Sequence, residues 1–211
     1  INAASSRGNF NVGLVHRRFS IIDLSSAGHQ PFFNHEKDLC LLFNGEIFNY
    51  IELRNILQEK GVKFYTNSDS EVLLASYKEW GTESFNLFNG FWSFVIYDLK
   101  NNKLIFCRDR IGKKPLYYCF LDNVLYFASE IKALLKVKSI SRKKKVNEKQ
   151  LNKWLLFGLK DTDSNTFFEE IYSFPASSFL EIKTTFEIKN ITKYWNIPER
   201  RFSESQISIP E

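Results

Sequence analysis

Four short strand-like runs, residues 91–98, 103–109, 116–121 and 124–128, follow one another closely along this chain. Asn101-Asn102 and Asp122-Asn123 supply tight turns, and Gly112 and Pro115 mark the bend between the middle pair. Short, regularly spaced strands with turn signals between them predict antiparallel sheets in a sandwich. Further strands are expected at residues 11–24, 39–43, 62–65, 166–172 and 178–183, with a last hairpin arm over 186–195.

Three helices interrupt this pattern. Asn49 with Glu52 forms a capping-box signature, Leu53, Ile56 and Leu57 give a buried stripe, and Lys60-Gly61 is a stop. Ser68 with Glu71 is a second box, opening a helix through Val72, Leu73, Tyr77 and Trp80 that ends at Gly81. Asn147 with Gln150 caps a third, with Leu151, Trp154 and Leu155 expected inside and Gly158 behind. Residues 83–88 and 130–135 read as short helical pieces, and residues 1–11 and 25–34 as loops. Helices set among many strands, without strict βαβ alternation, favour an α+β fold of helices packed on antiparallel sheets. A four-layer α-β-β-α sandwich accommodates the pattern, although pattern alone does not select it. Residues 1–197 read as one domain, and the polar, charged stretch 198–211 as a linker or tail.

The 211 residues include 21 phenylalanines and are 44% hydrophobic, enough for a sizeable core. No apolar run approaches a membrane span and no signal-peptide pattern opens the chain, so no membrane partner is expected. Three scattered cysteines without a CxxC point to a reducing, cytoplasmic setting, and no metal site is expected. Much of the net charge of +5 sits in Arg142-Lys143-Lys144-Lys145. Such a run can contact phosphates, but without an accompanying nucleic-acid motif the solvated-loop reading is preferred.

The stretch LLFNGEIFNY, residues 41–50, carries the chemistry. An apolar strand ends in Asn44-Gly45-Glu46, which sets a side-chain amide, a flexible backbone N–H and a carboxylate side by side. That is a way to place an oxyanion binder next to a cation binder. Asn-Gly is also the commonest hairpin signal, so a plain turn stays open. Asp69 falls at the first position of the second helix, where an acid complements the helix dipole and is expected to stay ionised. Arg18, among strand residues, is either a solvent-facing charge or a planar fork for a carboxylate.

Six stretches in order, LVHRRFSIIDLSSAGHQP, LLFNGEIFNYIELR, YTNSDSEVLLASYKEWG, LFNGFWSFVIYD, CRDRIGKKPLYY and FASEIKALL, cover roughly two thirds of the chain. Together they resemble the glutaminase domain of glutamine-hydrolysing asparagine synthetases, the class II, N-terminal-nucleophile amidotransferases. The resemblance implies a four-layer α-β-β-α fold in which glutamine is hydrolysed to glutamate and the ammonia passes to a second active site. It places Arg18 on the substrate α-carboxylate and Phe19, Ser20, Ile21 and Ile22 along the pocket. Asn44 and Gly45 fall at the oxyanion hole, and Glu46 and Asp69 at the substrate α-amino group. No cofactor is implied for this domain. ATP and Mg belong to a synthetase domain of the same polypeptide, expected beyond the tail, with aspartate as default ammonia acceptor.

The chain also departs from that family. The nucleophile there is a cysteine at the mature N-terminus, whose own α-amine is the base. Residue 1 here is Ile1, and Cys40, Cys107 and Cys119 lie in predicted strands among apolar neighbours. Two explanations compete. One is an opening segment missing from the chain, favoured because there is no start Met. The other is a natural pseudo-enzyme kept for binding or docking. A missing opening strand would leave unpaired edge groups and favour a homodimer. No Ser-Gly-Gly-x-Asp-Ser phosphate loop occurs before Glu211.

Overall fold

The computed structural model describes residues 2–5, 12–17, 22, 23, 25, 28–183 and 191–198. In chain order the strands are β1 (Asn2–Ser5), β2 (Val12–Val15), β3 (Phe32–Phe33), β4 (Leu39–Ile47), β5 (Gly90–Asp98), β6 (Lys103–Arg108), β7 (Tyr117–Leu121), β8 (Val124–Ala128), β9 (Tyr172–Ser173), β10 (Ser178–Lys183) and β11 (Thr192–Lys193). The helices are α1 (Tyr50–Glu59), α2 (Asp69–Trp80), α3 (Ser84–Leu87), α4 (Ile131–Leu134), α5 (Lys138–Lys143) and α6 (Glu148–Phe157). A six-stranded sheet has the order β11-β10-β6-β5-β4-β3, a three-stranded sheet the order β8-β7-β9, and β1 pairs with β2. Every pairing is antiparallel.

The layering follows from the two-residue period of a strand. On β4, Leu41, Phe43 and Ile47 point to one face, where they meet Leu53 and Leu57 of α1 and Val72, Leu73 and Tyr77 of α2. Cys40 and Leu42 point to the other, among Val95, Leu116, Phe174, Leu125 and Phe127, with Val12 and Leu14 of β2. A strand apolar on both faces has to be covered on both. The far side of the three-stranded sheet is covered in turn by Leu134 of α4 and Ile140 of α5, against Cys119 and Ile171. Helix, sheet, sheet, helix is the four-layer α-β-β-α arrangement expected.

The Asp122-Asn123 hairpin forms with positive φ at both residues, 51° and 58°, as a two-residue turn requires. Arg108 and Asp109 organise the bend that follows β6. The fully buried Asp109 carboxylate accepts N–H groups from Trp92, Ile111, Lys113 and Lys114. The Arg108 guanidinium donates to the carbonyls of Gly112, Lys114 and Phe174. These bonds fix the loop over 110–115 and with it Lys114.

Several expectations are corrected. Asn2–Ser5 is a strand, because its backbone finds a partner in β2. The strand expected over 11–24 ends at Val15 among the described residues, and Ile22 lies in a bend. Residues 62–65 join no ladder. The N–H groups of Tyr65 and Thr66 are met by the Glu71 carboxylate instead. Glu71 therefore does not close a box on Ser68, whose hydroxyl still caps α2 by accepting from the Ser70 N–H. The Asn49 box does not form either. Its amide donates to the Leu87 carbonyl and accepts from the Asn89 N–H, a two-point match that a distant loop offers.

Residues 166–171 form a turn around the Thr166 hydroxyl rather than a strand. The 186–195 arm pairs at Thr192–Lys193, and residues 186–190 lie outside the described residues. On α6 the Asn147 cap forms, but Trp154 and Leu155 are 47% and 64% exposed and the buried side chain is Gln150, held by Asp163. The helix rests on its polar side. The basic run closes α5 and stays exposed, with Lys143 paired to Asp122 at 2.9 Å.

Candidate functional site

Asn44-Gly45 is not a turn. β4 runs through it to Ile47, paired with β5 in unbroken register. Parity then decides what each backbone group faces, since alternate residues of an antiparallel strand bond to opposite neighbours. Even-numbered positions bond toward β5: the Leu99 N–H donates to the Asp38 carbonyl (2.8 Å) and the Phe48 N–H to the Asn89 carbonyl (2.7 Å). Odd-numbered positions face the other edge. The Asn34 N–H reaches the Leu39 carbonyl there. β3 stops pairing at Leu41, so beyond it the edge is taken by side chains. The Phe43 N–H and carbonyl are both bonded by the Gln30 amide, and the Ile47 N–H donates to Asp69 Oδ2 at 3.2 Å. Gly45 lies between them, its N–H aimed at the same open edge.

Side-chain alternation completes the geometry. Asn44 and Glu46 share the face of Leu42, which looks into the space between the sheets. A cleft of about 690 Å³ opens there, lined by Ile22, Asn44, Gly45, Glu46 and Asp69 together. Its size suits a small molecule. The deeper wall is apolar, with Val95, Leu116, Leu125 and Phe127. Asn44, Gly45, Glu46, Asp69 and Ile22 are thus brought into one hollow. Arg18, Phe19, Ser20 and Ile21 lie outside the described residues, flanked by Arg17 and Ile22, which both line the cleft. Sequence reading missed Gln30, Arg17 and Lys114 as lining residues. Gln30 was legible only as a residue before a proline.

At Asp69 burial opposes what the helix position favours. It is buried, and desolvation pushes its carboxyl above the usual aspartate range, against the N–H groups of Ile47 and Ser70. The neighbouring Glu46 charge pushes the same way. Burial outweighs those N–H donors. An ammonium ion entering between the two acids would relieve both costs.

The three cysteines are buried and none lines the cleft. Burial pushes the Cys40 thiol up to about 12, and those of Cys107 and Cys119 rise for the same reason. Among the described residues no group of three or more His, Cys, Asp or Glu could hold a metal, and no helix is long and apolar enough to cross a membrane.

Residues 4–195 match the family model described as a glutamine amidotransferase domain. The chain belongs to that family. Similar proteins include a putative glutamine-hydrolysing asparagine synthetase 2 of Methanocaldococcus jannaschii, 35% identical over 90% of this chain and 39% of its own length. Asparagine synthetase 2 of Bacillus subtilis is 36% identical over 89% of this chain and 25% of its own. A fungal protein of Gibberella zeae named amidase chry2 is 34% identical over 90% and 27%. This amidotransferase domain therefore spans between a quarter and two fifths of the length of those relatives. Among solved structures, glutamine phosphoribosylpyrophosphate amidotransferase of B. subtilis superposes with a TM-score of 0.56 at 20% identity, covering 82% of this chain and 33% of that one. That likeness shows a shared fold of layered antiparallel sheets and helices.

Proposed function

We propose that this amidotransferase domain binds free glutamine by its zwitterionic head, hydrolyses the side-chain amide to glutamate, and passes ammonia to a synthetase domain of a longer polypeptide. The observation that supports this best is the convergence of two neutral donors and two acids on one cleft. Glutamine presents an ammonium and a carboxylate at one end and a neutral amide at the other. Glu46 and Asp69 receive the ammonium. Arg18 grips the carboxylate through its guanidinium fork, and Ile22 with residues 19–21 shapes the wall. The Asn44 amide and Gly45 N–H meet the carbonyl oxygen as it turns anionic.

The attacking group is a cysteine thiolate activated by its own terminal amine, as the resemblance implies. None of Cys40, Cys107 and Cys119 can serve, being buried away from the cleft. In the synthetase domain, ATP and Mg would activate the acceptor, with aspartate the default suggested by the relatives' names. The cysteine burial also keeps a second reading alive, a glutamine-binding module without turnover.

Glutamate release by the full-length protein, measured beside calorimetric binding of glutamine, separates the two. Turnover supports the first reading, saturable binding without turnover supports the second, and the absence of both rejects the site. Arg18→Ala is expected to raise KM by about 10- to 100-fold, the loss of one charged hydrogen-bonded contact. An unchanged KM would remove Arg18 from the site.

The raised carboxyl of Asp69 sets a pH dependence. Its ionised form receives the ammonium, so affinity is complete above its pKa and falls as pH drops through it. Because that pKa is raised, glutamine binding should weaken at a higher pH than an ordinary aspartate would give, and Asp69→Asn should abolish this inflection. A binding curve that is flat down to the ordinary aspartate range, about 3.9, would contradict the assignment.

A further inference from the structure

We infer that Gln30 is a positioning residue that aims the Gly45 N–H at the oxyanion. This rests on the oxyanion-hole reading above and adds to it a residue that acts through the backbone.

The β3–β4 register pairs Phe32 with Leu41 and Phe33 with Cys40. Continued by two positions, the same ladder would set Gln30 opposite Phe43. The backbone ladder stops instead at the Phe32–Leu41 pair. The Gln30 side chain substitutes for it. Its Oε1 accepts the Phe43 N–H at 2.6 Å and its Nε2 donates to the Phe43 carbonyl at 3.0 Å. A primary amide is the one side-chain group that reproduces both halves of a peptide unit in one plane. Gln30 is only 7% exposed, so water competes poorly for either bond.

The consequence falls two residues further on. Gly45 needs its N–H left unpaired for a ligand, so its own edge has to stay open. An open edge without restraint can twist or fray. Here the odd-numbered groups on either side are both pinned, Phe43 by Gln30 and Ile47 by Asp69. The N–H between them is held in direction while remaining available. Misplacing such a donor by about 1 Å can cost on the order of 100-fold in rate.

The test uses the full-length protein with Gln30→Ala and the isosteric Gln30→Glu, whose carboxylate cannot donate and sets an oxygen against the Phe43 carbonyl. Both should lower kcat for glutamine hydrolysis by about 10- to 100-fold, with KM within about threefold, at native circular dichroism. Amide hydrogen exchange supplies the second readout. The Phe43 N–H should exchange at least tenfold faster in Gln30→Ala, while Ile96 at the strand centre of β5 does not change. If native protein turns over glutamine and both variants match its kcat within twofold, or if Phe43 exchange is unmoved, the positioning role is wrong. If native protein itself has no turnover, the oxyanion reading fails and the role goes with it. Should Gln30→Ala not fold, Gln30→Glu carries the kinetic measurement, because its remaining oxygen can still accept the Phe43 N–H and its lost donor cannot be replaced.

Discussion

Asn44→Ala is expected to lower kcat for glutamine hydrolysis by about 100- to 1,000-fold, the usual consequence of removing one oxyanion donor. KM should stay within about threefold. The ground-state amide carbonyl is neutral and gains little from the donor, whereas the tetrahedral anion gains much. Stability should hardly move. Asn44 is half-buried, and among the described residues its amide holds no other part of the protein together. Asn44→Asp should fare no better than alanine, because an ionised carboxylate would face the developing negative charge. Steady-state kinetics of glutamate release check both. A kcat within threefold of native for Asn44→Ala would show that this amide is not the donor.

Gly45→Ala is expected to destabilise the fold by about 2–6 kcal/mol, combining overpacking of about 1–3 with backbone strain of about 1–3. A Cβ built on Gly45 would sit 2.1 Å from the Phe91 carbonyl oxygen and 2.7 Å from the Trp92 Cα. Both are backbone of the partner strand, so neither can swing aside. The φ of 156° is also one that L side chains rarely adopt. Gly90 of β5, paired with Ile47, meets the same limit, with a Cβ 2.1 Å from the Glu46 carbonyl oxygen. At these φ values of 156° and 149° a Cβ would point straight at the partner strand's backbone. Gly13→Ala is the control: nothing lies within 4 Å of its Cβ, and its effect should stay within about 1 kcal/mol. Urea unfolding of the two variants checks the difference. Equal midpoints would mean that the β4–β5 approach is not as described.

The remaining contrasts lie in which partner each polar group found. Asn49 and Ser68 carry similar capping signatures, and only the second caps its helix. The Asn49 amide is matched instead by Leu87 and Asn89, some forty residues away, and no local pattern encodes that. Glu71 is drawn to two N–H groups upstream of Ser68, and residues 62–65, expected as a strand, join no ladder. The apolar stripe of α6 was readable as amphipathic. Which surface it would meet was not, and it faces solvent while Gln150 is buried.

Sequence by itself determined the class of fold and named several residues of the candidate site. The two-residue alternation of β4 and β5, the turn pairs and the glycine stops are local, because side-chain direction along a strand or helix follows from backbone period alone. Asn44, Glu46 and Asp69 could therefore be named before any coordinates. Tertiary structure alone decided what those residues mean. Asn-Gly spells a turn in isolation, and only the pairing of β4 with β5 turns it into a strand whose Gly45 N–H faces an edge left open among the described residues. The burial that raises Asp69 and the side-chain amide that replaces a missing ladder rung at Phe43 arise between segments far apart in the chain. A local pattern fixes where a group points, but its solvation and its partner are set by whatever the fold brings against it.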